Sequence, residues 1–188
     1  MDTIPKIFGE MSHQAAAEVV EGMHGGGINF VAFLPESEFL TAQKAVTKDK
    51  RFQWAAVSNE GIGVAICSGA FAGGKRPALM IGASGFPLTT YPLNWLTGCH
   101  RLPMLLLVTT RTVGDGHNIY GTATRIVEPF LRDLDIPIRE VRRIDEVRRV
   151  IADAAVTCFA WMKPYAVLLR EEVITRSDGE LETRGQTR

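Results

Sequence analysis

The sequence lacks the features that mark secreted, membrane-bound or nucleic-acid-binding proteins. Its start, Met1 to Pro5, has no basic segment followed by an apolar run, so no signal peptide is expected. The most apolar stretch, Leu102 to Val108, is far shorter than the roughly 18 apolar residues of a membrane helix. Lysine and arginine number 21, as do aspartate and glutamate, so the net charge is zero. No overall field therefore attracts nucleic acid or an anionic membrane.

Cysteine is scarce, and its spacing excludes two further classes of site. Cys67, Cys99 and Cys158 are widely separated, and no CxxC pair occurs. Neither a disulfide framework nor a zinc site is indicated, so we expect reduced thiols in a cytoplasmic protein. The four histidines form no spaced ligand set, and no metal site is predicted in this chain.

What the sequence does contain is typical of one globular domain. Hydrophobic residues make up 46% of its 188 residues and charged residues 22%. We predict a domain over residues 1–170, followed by a charged, flexible tail over residues 171–188 that has little apolar content. The neutral net charge gives weak repulsion between copies, which is compatible with assembly.

Helical and strand patterns alternate along the domain. Six short apolar runs, from Asn29–Leu34 through Ile138–Val141 to Tyr165–Leu169, are separated by helical segments. We expect Ser12 to cap the first helix, to about Met23. A later helix should run from about Thr124 to Leu134, and Asp145 should cap the helix that ends near Met162. Continuous apolar strands between helices indicate a parallel sheet that is covered on both faces. We therefore predict a three-layer α/β/α fold with a six-stranded parallel sheet.

Ligands of such sheets bind at the carboxyl ends of the strands, which makes four loops candidates for a site. They are Pro35–Ser37, Ser58–Gly63, Ser84–Leu88 and Thr110–Gly121.

Two glycine-containing segments resemble nucleotide-binding motifs but do not match them. Gly69 to Lys75 fits the start of a P-loop, but it ends a helix and has Arg76 where the hydroxyl residue belongs. Gly61-Ile62-Gly63 lacks the third glycine of a dinucleotide fingerprint.

Glu60 is the most informative residue of these loops. It stands at the end of a buried strand and opens a helix that contains Gly61 and Gly63. An acid in the first turn of a helix stabilises that helix by about 0.3–1 kcal/mol, which gives a structural explanation for Glu60. It does not explain the glycines, which weaken a helix but let another surface approach the backbone closely.

Four segments in a fixed order carry a resemblance to a known family. They are Asn59-Glu60-Gly61-Ile62-Gly63-Val64-Ala65, Ser68-Gly69-Ala70-Phe71-Ala72-Gly73-Gly74-Lys75-Arg76-Pro77, Ala83-Ser84-Gly85 and Leu102-Pro103-Met104-Leu105-Leu106-Leu107. This series resembles the pyrimidine-binding domain of thiamine-diphosphate enzymes. Its pattern is most similar to the sulfopyruvate decarboxylase alpha subunit and phosphonopyruvate decarboxylase family. The resemblance spans about Phe30 to Leu169 and is strongest from Ser58 to Val108.

The resemblance implies a catalytic and cofactor-binding role for Glu60. In the family this glutamate hydrogen-bonds the aminopyrimidine of the cofactor. The shared proton makes the 4′-amino group acidic enough to activate the thiazolium carbon, which attacks the 2-oxo acid and releases CO₂. Gly61 beside it would leave room for the ring.

The resemblance also implies roles for residues of the other loops. Pro35 would line the cofactor site, and Glu36 or Ser37 could contact substrate, although helix capping is an alternative for Ser37. Ser84 and Gly85 align with a loop that lines the same cavity. His117 lies in another loop on that side and is a further candidate for substrate contact. The family usually has Asn-Ser-Gly where this chain has Ala83-Ser84-Gly85, and Phe86-Pro87-Leu88 is more apolar than usual. These departures leave a less polar 2-oxo acid open as the substrate.

The family also needs a second domain, which binds Mg²⁺ and diphosphate through Gly-Asp-Gly and a later Asn-Asn. Gly114-Asp115-Gly116 matches its start, but the chain has no Asn-Asn, so we interpret this tripeptide as a turn. The resemblance therefore implies half of a split enzyme. A beta subunit would hold Mg²⁺ and diphosphate, in an α₂β₂ or larger assembly that decarboxylates a 2-oxo acid such as sulfopyruvate. Carboligation by the same cofactor, and a non-catalytic regulatory subunit, remain alternatives.

Overall fold

The six strands form one sheet in which every pairing is parallel, as predicted. The structure is a computed structural model and describes residues 10–110 and 118–174. Its strands are β1 (Phe30–Phe33), β2 (Gln53–Ala56), β3 (Pro77–Gly82), β4 (Leu105–Thr110), β5 (Ile138–Val141) and β6 (Tyr165–Arg170). Their order across the sheet is β2-β1-β3-β4-β6-β5. All residues of β3 and β4 are buried, which explains why these strands are continuously apolar.

Helices cover both faces of the sheet and give the predicted three layers. They are α1 (His13–Gly25), α2 (Leu40–Lys48), α3 (Glu60–Ala72), α4 (Thr90–Pro92), α5 (Asn118–Asp133), α6 (Ile144–Trp161) and α7 (Glu171–Ile174). A 3₁₀-helical segment, Ala83–Thr89, precedes α4, and a π-helical segment, Leu93–Cys99, follows it. One apolar core joins the sheet to α1, α2 and α6, and the other joins it to α3, the Ala83–Cys99 region and α5.

Local signals account for most of these elements. Ser12 caps α1 as predicted, since its hydroxyl accepts a hydrogen bond of 3.1 Å from the Ala15 amide. The prediction that Asp145 caps α6 is wrong, because the cap position is Arg143 and Asp145 lies in the first turn. An acid in that turn still interacts favourably with the helix dipole.

Two other predictions about local structure differ from what is observed. Ser84–Leu88 was expected as a loop but lies in the 3₁₀-helical segment, and α5 begins at Asn118 rather than near Thr124.

Val173 and Ile174 of α7 are buried in the core, so the packed chain extends beyond the predicted boundary at residue 170. The remainder of the predicted tail, residues 175–188, lies outside the described residues.

Among the residues that the structure describes, none of the helices combines the length and apolarity needed to cross a bilayer.

Candidate functional site

The sheet has a topological switch point at β1. The chain leaves β1 for β2 on one side and then returns to place β3 on the other. In open parallel sheets the loops at such a point diverge and leave a crevice at the carboxyl ends of the strands. Three of the predicted candidate loops, those after β1, β2 and β3, lie at this edge.

Glu60 is buried at this edge, with only 5% of its surface exposed. It is the first residue of α3, whose amino end is capped by Asn59 through a hydrogen bond of 2.9 Å from the Ile62 amide. A Cβ atom added to Gly85 would lie 1.5 Å from Oε1 of Glu60. The carboxyl group is therefore seated directly against the Gly85 backbone, where only glycine leaves room for it.

The glycines of α3 serve close packing within the chain. A Cβ atom at Gly61 would lie 2.8 Å from the carbonyl oxygen of Leu88, and one at Gly63 would lie 2.6 Å from Leu79. The expected close approach is confirmed, but the approaching surface is the 3₁₀-helical segment and β3. The space beside Gly61 that was assigned to the cofactor ring is filled by Leu88. A contact of Gly61 with cofactor stays a prediction.

A second carboxylate, that of Glu36, lies at the same edge. The Thr109 hydroxyl donates a hydrogen bond of 3.0 Å to Oε1 of Glu36, and a Cβ atom at Gly82 would lie 2.2 Å from Oε2. Buried Gln43 holds the loop, because its Nε2 donates to the Leu34 carbonyl at 2.8 Å. Glu36 is thus positioned by the ends of β3 and β4 and by α2.

The two carboxylates contact opposite ends of one short segment, with Glu36 against Gly82 and Glu60 against Gly85. Ser84 lies between these glycines and is exposed. The structure therefore places Glu36, Glu60, Ser84 and Gly85 in one region, as the sequence predicted.

The remaining candidates divide into two groups. Pro35 and Ser37 lie beside Glu36 and are exposed. The capping alternative for Ser37 is wrong, because the cap position of α2 is Phe39, without a side-chain hydrogen bond. His117 and the tripeptide at 114–116 lie outside the described residues.

Within the described ranges, no cluster of three or more histidine, cysteine, aspartate or glutamate residues is arranged to hold a metal ion.

Sequence reasoning missed Thr109, Gly82 and an ionic network around Arg170. Arg170 ends β6, is 6% exposed, and donates hydrogen bonds to Thr110 at 3.2 Å and Glu140 at 3.0 Å. It also pairs with Glu128 of α5. Burial, the largest influence, acts to lower the pKa of Arg170, but the hydrogen bonds to Glu140 and Glu128 outweigh it and raise that pKa. Polar residues ending an otherwise apolar strand, Thr109 and Thr110, were the available signal.

The arginines around β5 and α6 form a charged surface with local ion pairs. Arg143 pairs with Asp145, and Arg149 pairs with Asp153, both through exposed side chains. Such exposed pairs contribute little to stability, at most about 1 kcal/mol each.

Comparison with known proteins agrees with the resemblance seen in the sequence, although no family model matches the chain. Sulfopyruvate decarboxylase subunit alpha of Methanococcus maripaludis is 25% identical over 82% of this chain and 93% of its own length. The protein of the same name from Methanothermobacter thermautotrophicus is 28% identical over 85% of this chain and 97% of its own length. Phosphonopyruvate decarboxylase of Streptomyces viridochromogenes is 31% identical over 51% of this chain, which matches 24% of that protein.

The fold also has a relative among solved structures, a 2-oxoglutarate:ferredoxin oxidoreductase from Magnetococcus marinus. The match has a TM-score of 0.66 at 14% identity and covers 88% of this chain and 29% of that one. The comparisons thus confirm the predicted resemblance: over most of its length, the chain is similar to sulfopyruvate decarboxylase alpha subunits.

Proposed function

We propose that this chain is the pyrimidine-binding alpha subunit of a split thiamine-diphosphate-dependent decarboxylase of 2-oxo acids. The observation that carries the proposal is the buried Glu60 carboxyl, which is seated against Gly85 at the carboxyl edge of the sheet. The chain also matches sulfopyruvate decarboxylase alpha subunits over nearly their whole length, so it accounts for the same portion of such an enzyme.

The residues at this edge fit one half of the cofactor. Side chains at Gly82 and Gly85 would collide with the two glutamates, so this wall of the crevice is formed by backbone and the small Ala83 and Ser84. A flat aminopyrimidine could lie against such a wall with its ring nitrogen at Glu60. When bound, thiamine diphosphate supplies a thiazolium carbon that accepts the electron pair released with CO₂.

Glu60 would hold the proton that it shares with the aminopyrimidine nitrogen. The Asn59 cap fixes the first turn of α3, which begins with Glu60, and the Gly85 contact positions the carboxyl before the cofactor arrives. This lowers the ordering cost of binding. Pro35, Ser84 and Gly85 would complete the cofactor contacts. Mg²⁺ and the diphosphate would be held by the partner beta subunit, as the family pattern implies.

Sulfopyruvate is the leading candidate for the substrate. Two relatives are named sulfopyruvate decarboxylase subunits. The apolar residues by which this chain departs from the family pattern are only a weak argument against that substrate. Phe86 is fully buried in the core, so its apolar character reflects packing rather than a substrate contact. Glu36, Ser37 and Ser84 are the polar residues of this chain that would contact the substrate. A less polar 2-oxo acid is the alternative to be screened.

The test is Glu60→Gln in the full complex, assembled with the partner subunit, Mg²⁺ and thiamine diphosphate. Glutamine keeps the size of the side chain but cannot share the proton, so we expect turnover to fall by about 100-fold or more. The measurement is CO₂ release from a panel of 2-oxo acids, with and without an acceptor aldehyde to detect carboligation.

The control is Glu146→Gln, which changes a half-exposed glutamate on α6, away from the site. It should retain wild-type turnover. Undiminished turnover of Glu60→Gln would instead favour a non-catalytic subunit. Decarboxylation by the purified chain alone would refute the split-enzyme part of the proposal.

A further inference from the structure

The surface beside Glu60 has almost no charge. Between Gly61 and Cys99 the only charged residues are Lys75 and Arg76, although charged residues form 22% of the chain. The stretch contains α3, β3 and the Ala83–Cys99 region. Because β3 is fully buried, the solvent-facing part of this stretch comes from α3, from the turn at residues 73–76 and from Ala83–Cys99. Both charged residues lie in that turn, at the far end of α3 from Glu60.

Several large apolar side chains are exposed there. Ile62 is 43% exposed, Leu88 58%, Tyr91 74% and Trp95 49%. Ala65 and Gly69 of α3 are exposed as well. We call the surface made by these six residues the α3 face. Surface helices normally turn charged or polar side chains toward water, but the solvent side of α3 has none between Gly61 and Ala72.

The α3 face is continuous. The Leu88 carbonyl lies against Gly61, where a Cβ atom would be 2.8 Å away, so the 3₁₀-helical segment touches the first turn of α3. Both α4 and the π-helical segment pack against α3. The rings of Tyr91 and Trp95 are 6.4 Å apart. Contiguous exposed apolar surface is uncommon on monomers, and interface centres are poor in charge and rich in tyrosine and tryptophan.

We propose that the α3 face is the docking surface for the diphosphate-binding partner subunit, an inference that rests on the proposed function. The face adjoins the site, because α3 begins with Glu60 and Leu88 follows Gly85 in the same 3₁₀-helical segment. A subunit that brings the other half of the cofactor to Glu60 must cover the surface next to it. Two relatives are named as alpha subunits, which indicates that those proteins assemble with a second chain.

The occupant that fits this face has a matching chemistry. Its contact surface would be uncharged, since a charged group would lose its hydration against the α3 face without gaining a partner. It would offer apolar recesses for Tyr91 and Trp95. It would also come close to α3 at Ala65 and Gly69, where small side chains let a second backbone approach.

The experiment measures binding of the full chain to its partner subunit, the product of a neighbouring gene with Gly-Asp-Gly and a later Asn-Asn. Affinities are determined by analytical ultracentrifugation for wild type, Ala65→Arg and Gly69→Arg. A Cβ atom at Gly69 meets nothing within 4 Å in this chain, so an arginine there has room. We expect about 100-fold weaker binding for both variants, at a thermal unfolding temperature no lower than that of wild type, since Gly69→Arg also removes a glycine from the helix interior.

The matched control is Ala17→Arg, the same substitution as Ala65→Arg, at an exposed position of α1 on the other side of the sheet. It should bind the partner like wild type. Wild-type affinity in the two α3 variants would overturn the inference. It would also be overturned if the chain alone formed a dimer that both variants converted to monomers while partner binding persisted, because the occupant would then be a second copy.

The docking inference and the proposed function fail separately. Glu60→Gln should assemble normally and lose turnover, because its side chain faces Gly85 and not the α3 face. If Ala65→Arg and Gly69→Arg both left assembly intact while Glu60→Gln still abolished turnover, only the docking inference would fail. If the arginines disrupted a complex that has no thiamine-dependent activity, only the proposed function would fail.

Discussion

Single glycines define the geometry of the site, because the carboxylates of Glu36 and Glu60 each pack against the backbone of a glycine. An added Cβ atom at Gly85 would lie 1.5 Å from Oε1 and 2.0 Å from Cδ of Glu60. The clashing atoms are the end of a side chain, which can rotate away at small cost. The carboxyl would then leave its position, while the fold would persist.

We therefore predict that Gly85→Ala separates activity from stability. The free energy of unfolding should change by about 1 kcal/mol or less, because the clash is relieved by a side-chain rotation. Turnover of the assembled complex should fall by about 100-fold, as expected when a catalytic group is displaced by about 1 Å. Urea unfolding of the chain and CO₂ release by the complex are the two measurements.

The control for this pair of measurements is Gly25→Ala, at the end of α1. The nearest atom to a Cβ there is that of Ala152, at 3.9 Å, an ordinary contact. This variant should match wild type in turnover. Wild-type turnover in Gly85→Ala would show that catalysis does not require the Glu60 carboxyl to lie against Gly85.

Most of the elements could be predicted because their signals are local. The apolar run Ile138–Val141 is a strand with the predicted limits, and the capping residue Ser12 marks the start of α1. The 3₁₀-helical segment was missed because Ser84-Gly85-Phe86-Pro87 has the composition of a loop, while burial of Phe86 against the sheet holds it in place. Gly61 could be linked to a close approach, but not to Leu88, because that contact depends on how α3 packs.

The network around Arg170 could not be predicted for a related reason. Its partners Glu128 and Glu140 belong to other elements. The pairing of β5 with β6 brings Glu140 to Arg170, and the packing of α5 brings Glu128 there. Strand order is a property of the whole sheet, so no local pattern identifies these ion pairs. In the structure, the network ties the edge strand β5 and helix α5 to β6.

We predict that Arg170→Met lowers the free energy of unfolding by about 2–3 kcal/mol at pH 7. Removing one partner of a largely buried ion pair leaves carboxylates without compensation, although Glu128 and Glu140 retain partial contact with water. The hydrogen bond from Arg170 holds the pKa of Glu140 below its ordinary value of 4.5, and burial opposes that effect only in part. The stabilisation is thus fully present above pH 4.5 and is lost as the pH falls through the lowered pKa.

Urea unfolding of wild type and variant at several pH values checks this prediction. The difference in free energy should shrink as the pH drops below 4.5. Arg149→Met is the matched control, because Arg149 pairs with Asp153 at 3.6 Å through side chains that are 64% and 66% exposed. It should change stability by about 0.5 kcal/mol or less. A difference for Arg170→Met that is equally small, or independent of pH, would contradict the role given to the network.

At the scale of the whole molecule, the sheet separates two apolar cores that share its strands. Cys67 of α3 lies in one core, and Cys158 of α6 lies in the helix layer on the other side. Burial raises the pKa of each thiol to about 12, so neither should react while the chain is folded. Cys99 is exposed. The two buried thiols therefore report on whether the two sides unfold together.

We predict that a thiol reagent at pH 8 labels Cys99 at once, and labels Cys67 and Cys158 together at the rate of global unfolding. Because β3 and β4 contribute side chains to both cores, neither core can open without disturbing the other. Labelling at increasing urea concentration, read by mass spectrometry of peptides, gives the free energy of exposure for each thiol. Cys99→Ser should remove the fast phase and leave the other two unchanged. If Cys158 became reactive at lower urea than Cys67, the α6 side would unfold on its own, and the prediction of one cooperative domain over residues 1–170 would be wrong.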